Sequence, residues 1–389
     1  LPVWYDATDG RHKTVVFPRG LYQHMLFSGY SAELWFKDGP PKRYNPIDNG
    51  EGAWFLLGAG NQATVIGCDV AHLVFATGMS VICKLNPVND YLLPHMNKAF
   101  APLVQANIVQ FCCGGVPIAS RFVHDERLSG IHMTGSDKTY DAIQFGPLPG
   151  EQTNTPFAQV VAEKKASGTL NIPKPFVAEL GCSTPYIICP GNWSASAIDF
   201  HARAVVSMCV HNAHYNCLAA QNIVTCASWP QRETFMDAIR RHLSAAQTRS
   251  PYYPGADTRL KEFAGKCKDG KNVFRSDCGS QDDLPWTVIA NAAPDDASTT
   301  HTCCNEAWTC VLTEIAVPSK TPKAFLTEAV EFCNDRCWGT LSCAIFIPPD
   351  LEAAEPRACK AAVAALKYGS VVVNAPTGLA YFVTSASWG

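Results

Sequence analysis

The stretch NAHYNCLAAQ, residues 212–221, sets one cysteine, Cys217, among small and polar side chains. A thiolate attacks a carbonyl carbon and forms a covalent adduct that later steps resolve, so a cysteine in such a setting is a candidate nucleophile. Two histidines precede it. His211, His214 and Cys217 fall at i, i+3 and i+6, and on a continuous helix these positions lie about 60° apart on one face, a set that would also suit zinc. Cys303, Cys304, Cys310, Cys333 and Cys337 add no standard zinc spacing. A second chemical group is Glu179, in the apolar, strand-like run FVAELG, where a carboxylate is costly unless paired or functional. A third is IHMTGSDKTYDAI, which puts Thr134, Gly135 and Ser136 at a strand end where a helix should begin. Such a step offers backbone N–H groups to a diphosphate, or uses Ser136 simply as the helix cap.

Eighteen cysteines bear on the reading of any one of them. Disulfide scaffolds are mostly short chains with small cores, whereas this one has 389 residues and 47% hydrophobic content. Reduced thiols are expected, in an intracellular reducing compartment such as the cytoplasm or an organelle matrix. A net charge of −3 leaves no basic excess to neutralise a phosphate backbone, so no nucleic-acid partner is expected. No apolar stretch reaches the roughly eighteen uninterrupted residues of a membrane span. The sequence opens at Leu1 with no initiator methionine or signal segment, which reads as processed or incomplete.

The elements that must position these groups alternate. Residues 64–78 have helical spacing, SVICKLN (80–86) is strand-like, and 91–107 is helical again. IVQFCCG (108–114), GIHMTGS (130–136) and YIICP (186–190) read as short buried strands of a parallel sheet. A second run follows, with NIVTCASW, LTEIAVP, LSCAIFIPP and SVVVN as strands around helices. Two α/β domains are implied. Residues 147–172 read as an insertion or surface loop with one short helical stretch, and about 248–300 as a long irregular surface excursion.

Taken in order, these segments resemble the aldehyde dehydrogenase superfamily. The resemblance rests on GAGN ending in Asn61, VICKLNPV with Lys84, HMTGS, AELG with Glu179, NAHYNC with Cys217, NEAWTCV with Glu306, FCNDRCWGTLSC and GSVVVN, and it covers roughly residues 30–389. It implies two parallel-sheet α/β domains, a Rossmann-like NAD(P)-binding domain over 1–179 and a catalytic domain over 180–389. A small oligomerisation hairpin is expected within 29–48, with DGPP as its turn. The implied reaction is NAD(P)-dependent oxidation of an aldehyde through a cysteine thiohemiacetal and a thioester. Cys217 is then the nucleophile, and the Asn61 side-chain amide and the Cys217 backbone N–H stabilise the oxyanion. Glu179 is the base for the hydrolytic water. Lys84 contacts the adenosine ribose, the Thr134–Gly135–Ser136 step carries the diphosphate, and Glu306, with Trp308 two residues on, holds the nicotinamide ribose.

Departures from the family pattern accompany this. The usual Gly-Gln before the nucleophile is His214-Tyr215, which is expected to narrow substrate access; Cys182 replaces the second glycine of E-L-G-G, and Pro87 leaves the choice between NAD and NADP open. Tyr215 and Trp308 favour a hydrophobic aldehyde. A homo-oligomer, or a subunit of a larger assembly, is expected, and the altered motifs and short ends frame the alternative of a catalytically degenerate structural or accessory subunit.

Overall fold

The computed structural model describes residues 2–37, 39–41, 52–148, 155–266 and 272–383. The chain divides into two compact units, one of Leu1–Lys42 with Cys182–Gly389 and the other of Arg43–Gly181. The first forty or so residues thus group with the C-terminal part, not with the N-terminal domain expected over 1–179.

Those residues form a three-stranded sheet in the order β1 (Trp4–Asp6), β2 (Arg11–Phe17), β3 (Ala32–Phe36), with antiparallel pairing throughout. Lys13 anchors it. Its ammonium meets Asp6 at 2.9 Å and Asp9 at 2.5 Å and lies 3.6 Å from the centroid of the Trp35 ring. Of the expected hairpin over 29–48, residues 38 and 42–48 lie outside the described residues; its described part contains β3, which pairs with β2.

The smaller unit is built on β4 (Ala53–Leu57), β5 (Ser80–Lys84), β6 (Val109–Cys112), β7 (Leu128–Thr134) and β8 (Phe176–Glu179). They form a parallel sheet in the order β6-β5-β4-β7-β8. The direction in which successive strands are added therefore reverses at β4, the doubly wound pattern whose crevice opens outside the carboxyl ends of the strands. Within the expected loop at 147–172, Phe157–Ser167 is a helix closed by Gly168 at φ 68°, a left-handed C-terminal cap; residues 149–154 are outside the described set.

The larger unit carries β9 (Pro185–Ile188), β10 (Asn222–Cys226), β11 (Val273–Arg275), β12 (Thr287–Ala292), β13 (Val311–Val317), β14 (Ser342–Phe346) and β15 (Ser370–Val373). Their order is β11-β12-β13-β10-β9-β14-β15, parallel except for β11 against β12. Every residue of β9, β10, β13 and β14 is buried, which is why these strands read as continuous apolar runs without alternation. The irregular reading of 248–300 is corrected here: β12 is an interior strand, and a helix spans Ala256–Gly265. Its apolar residues are few and interrupted by Asn291, where the register against β13 shifts and φ is +56°.

That irregularity has a purpose in the packing. Glu314, mid-strand in β13 and fully buried, takes Arg232 through both oxygens at 2.5 and 2.9 Å, the Thr225 hydroxyl at 2.6 Å and the Asn291 N–H at 2.7 Å. A buried carboxylate is tolerable only when its lone pairs are satisfied in this way. The described cysteines are free thiols.

Candidate functional site

In the larger unit the candidate residues lie at the amino ends of the parallel strands. Cys217 is half-buried in a turn that leads into β10, and Glu306 and Trp308 lie in the loop that leads into the neighbouring β13. The Cys217 turn is locally determined: Asn216 Oδ1 accepts the Leu218 N–H at 2.9 Å, and the Asn216 carbonyl accepts from Ala219 at 2.9 Å. Thr184, just before β9, donates its hydroxyl to the Cys217 carbonyl at 3.3 Å, and Thr377 donates to the Leu218 carbonyl at 2.7 Å.

The helical face that would bring His211, His214 and Cys217 together does not form. The helix Ala195–Val210 gives way to a single 3₁₀ turn in which Asn212, Ala213 and His214 have φ of 51°, 54° and 73°. Three successive left-handed residues reverse the chain, so the i, i+3, i+6 argument does not apply. His214 is fully buried, and its Nδ1 lies 2.9 Å from the Cys209 carbonyl, which requires Nδ1–H to donate. Burial lowers its pKa to about 4, so it is a neutral ring at ordinary pH. Tyr215 is 1% exposed and packs among Tyr252, Tyr253 and Trp308 at ring separations of 4.6, 4.9 and 6.0 Å. Its ring serves this packing, so it lends no support to a hydrophobic substrate.

Two residues the sequence reading passed over position the Glu306 loop. Gln221 Oε1 accepts the Ala307 N–H at 2.7 Å while Nε2 donates to the Cys182 carbonyl at 2.6 Å. Arg259 donates to the Trp308 carbonyl through Nη2 at 3.0 Å, stabilising a residue whose φ is +46°. Gln221 was visible as the last residue of the cysteine stretch, but its two partners are 39 and 86 residues away.

In the smaller unit the candidates lie at the opposite strand ends. Asn61 follows β4, Lys84 ends β5, Thr134 ends β7 and Glu179 ends β8. The loop that carries Asn61 is held by Asn89, whose Nδ2 reaches the Ala59 and Gly60 carbonyls, both at 3.1 Å. Lys84 is buried and donates to the Leu85 and Gly114 carbonyls, both at 2.8 Å, which leaves one of its three N–H donors for a ligand. Burial pulls its pKa below the usual lysine value.

Gly135 and Ser136 take the cap arrangement. The Gly135 N–H donates to the Glu179 carbonyl at 3.0 Å, and Ser136 Oγ accepts from Thr139 at 3.2 Å as the N-cap of Asp137–Gln144. Asp137 already places a carboxylate at that positive helix end. Thr134 Oγ1 donates to Asp69 at 3.1 Å. Burial, reinforced by the negative charge of Asp69, raises Glu179 to a pKa of about 7, with His132 acting the other way.

These two sheets and their connections define an α/β protein of the aldehyde dehydrogenase fold. The chain is similar in structure to an aldehyde dehydrogenase of Pseudomonas aeruginosa, at a TM-score of 0.60 and 18% identity over 83% of this chain and 60% of that one. It is similar also to the NADP-dependent glyceraldehyde-3-phosphate dehydrogenase of Bacillus halodurans in complex with NADP, at 0.62 and 16% over 84% and 61%. An NAD-dependent aldehyde dehydrogenase of Sinorhizobium meliloti matches at 0.61 and 14% over 84% and 59%. No protein-family model and no curated protein sequence matches the chain. It spans about 60% of the length of the first of these structures.

Proposed function

We propose that the protein oxidises an aldehyde to a carboxylic acid with NAD or NADP, through a thioester on Cys217. The observation that carries this reading is the Glu179 carboxyl at the end of β8, with a proton affinity matched to neutral pH, on a fold shared with aldehyde dehydrogenases. A base works best when its pKa lies near the working pH.

The residues fit the cofactor at some points and not at others. Lys84 keeps one donor for a ribose hydroxyl, and the Glu306 carboxylate is a suitable acceptor for ribose hydroxyls, with Trp308 alongside in the same loop. The Gly135 N–H is engaged by Glu179 and the Ser136 hydroxyl by its own helix, so these two groups do not fit a diphosphate. When bound, the nicotinamide supplies an acceptor for hydride.

In this scheme Cys217 attacks the carbonyl carbon as thiolate, and the Asn61 amide and the Cys217 N–H stabilise the oxyanion. After oxidation Glu179 takes a proton from water, the hydroxide oxygen adds to the thioester carbon, and the C–S bond breaks to release the acid and return the thiolate.

The test is labelling of native protein with an iodoacetamide probe, with and without NAD or NADP, followed by peptide mass spectrometry. Selective labelling of Cys217 that changes with cofactor is the expected result. Reaction at Cys217 no faster than at the other cysteines, and unaffected by either cofactor, rejects the reading in favour of a degenerate accessory subunit.

A further inference from the structure

Asp69 belongs to none of the roles assigned above, yet it binds two residues next to Glu179. It lies in the helix Ala63–Ala71, in the smaller unit, and approaches β7. On β7, His132 and Thr134 are two positions apart and therefore share one face of the sheet. Thr134 pairs directly with Glu179 across the parallel β7–β8 ladder, so the Glu179 side chain leaves the sheet on that same face. Asp69 reaches both β7 residues: one oxygen accepts from Thr134 Oγ1 at 3.1 Å, and the other lies 3.5 Å from His132 Nε2.

The titratable groups facing this point come from each packed element. The helix brings Asp69, and the π-helical turn that follows brings His72, whose ring lies 6.5 Å from that of His132. β7 brings His132 and β8 brings Glu179. β5 brings Cys83, which is held as a neutral thiol by burial. An Asp69 carboxylate on the same half-buried face opposes a second negative charge at Glu179, which favours the protonated form of Glu179.

We propose that Asp69 is the positioning residue for Glu179: held on the same face of the sheet by Thr134 and His132, it sets its carboxylate beside the Glu179 carboxyl and favours the protonated form of that group. Thr134 fixes the Asp69 carboxylate in place through its hydroxyl, and His132 partly offsets the charge. This rests on the reading of Glu179 as the base, and adds to burial a second reason for that base to hold its proton near neutral pH. Burial is the larger cause of the upward shift of Glu179, and the Asp69 charge adds to it.

The test is an infrared titration of the Glu179 carboxyl in the full chain without cofactor, with the band identified by its loss in Glu179→Gln. Asp69→Asn is expected to lower the midpoint by roughly one pH unit, and His132→Gln to raise it, since it removes the opposing influence. Opposite shifts are diagnostic, because loosened packing would move both variants the same way. Midpoints that do not move, or that move together, overturn the proposal. The base role fails separately: Glu179→Gln that hydrolyses p-nitrophenyl acetate at the wild-type rate rejects it whatever the titration shows.

Discussion

The Gln221 side chain and the Ala307 N–H form a 2.7 Å hydrogen bond that ties the turn after Cys217 to the loop carrying Glu306. The other end of the same amide holds the Cys182 carbonyl, so one buried side chain satisfies two strand-end loops. Gln221→Ala leaves both backbone groups without that partner, and is expected to cost about 2–3 kcal/mol of unfolding free energy. Gln221→Glu, which when ionised can accept from Ala307 but buries a charge against the Cys182 carbonyl, is expected to cost at least as much. Urea unfolding of the two variants and the parent measures this.

The Arg232–Glu314 pair joins a helix to the interior of the large sheet. Arg232→Ala strands a fully buried carboxylate and is expected to destabilise by roughly 3–5 kcal/mol. The double variant Arg232→Met, Glu314→Leu removes both charges, and should lose much less than the sum of the two single changes. A double-mutant cycle in denaturant gives the coupling, and additive losses would refute the assignment.

Hydrolysis of an acylated Cys217 should follow Glu179. In the proposed mechanism its carboxylate form is the base, so the rate should rise with pH through about 7 and level off above it. Glu179→Gln should remove that rise. Deacylation rates across pH on a chromogenic ester decide the matter.

The same group links stability to pH. Its folded pKa is raised above the ordinary 4.5, so the folded state holds the proton more tightly, and this contribution is present at low pH and lost between 4.5 and about 7. Relative to the parent, Glu179→Gln should gain stability as pH rises through that window, with no further change above it. Chemical denaturation at pH 4, 6 and 8 provides the comparison.

His201 and His214 act in the opposite sense. Burial lowers each from 6.5 to about 4, so the unfolded chain binds protons that the folded chain refuses, and stability falls as pH drops through that range. Replacing His214 with Gln, which can still donate to the Cys209 carbonyl, should flatten the slope by one proton's worth. An unchanged slope would mean that His214 protonates in place.

Much of the architecture could be read from residue order. TVIGCDVA, SVICK, NIVTC, LTEIAV and SVVV each carry their periodicity or apolar run locally, and each forms the expected helix or strand. β12 was missed because its apolar run is short and broken at Asn291, where only the bonding to Glu314 makes the distortion favourable. The His211–Cys217 spacing misled for a related reason: a helical face presumes continuous helix, and three left-handed residues interrupt it.

Amino-acid identity alone settled which functional groups are on offer, because a thiol, a carboxylate or an amide is the same group wherever the chain places it. It also settled the two-run α/β alternation, since burial on both sheet faces demands continuous apolar strands. Tertiary structure decided what those groups touch. It placed Cys217 and Glu306 at the amino ends of adjacent strands, and Lys84 and Glu179 at the carboxyl ends of theirs. It committed the Gly135 N–H to Glu179 and buried His214, and it brought Asp69 to Thr134 across 65 positions of chain. Proton affinity and hydrogen-bond availability depend on neighbours in space, and residues so far apart in sequence become neighbours only when the sheets and helices pack.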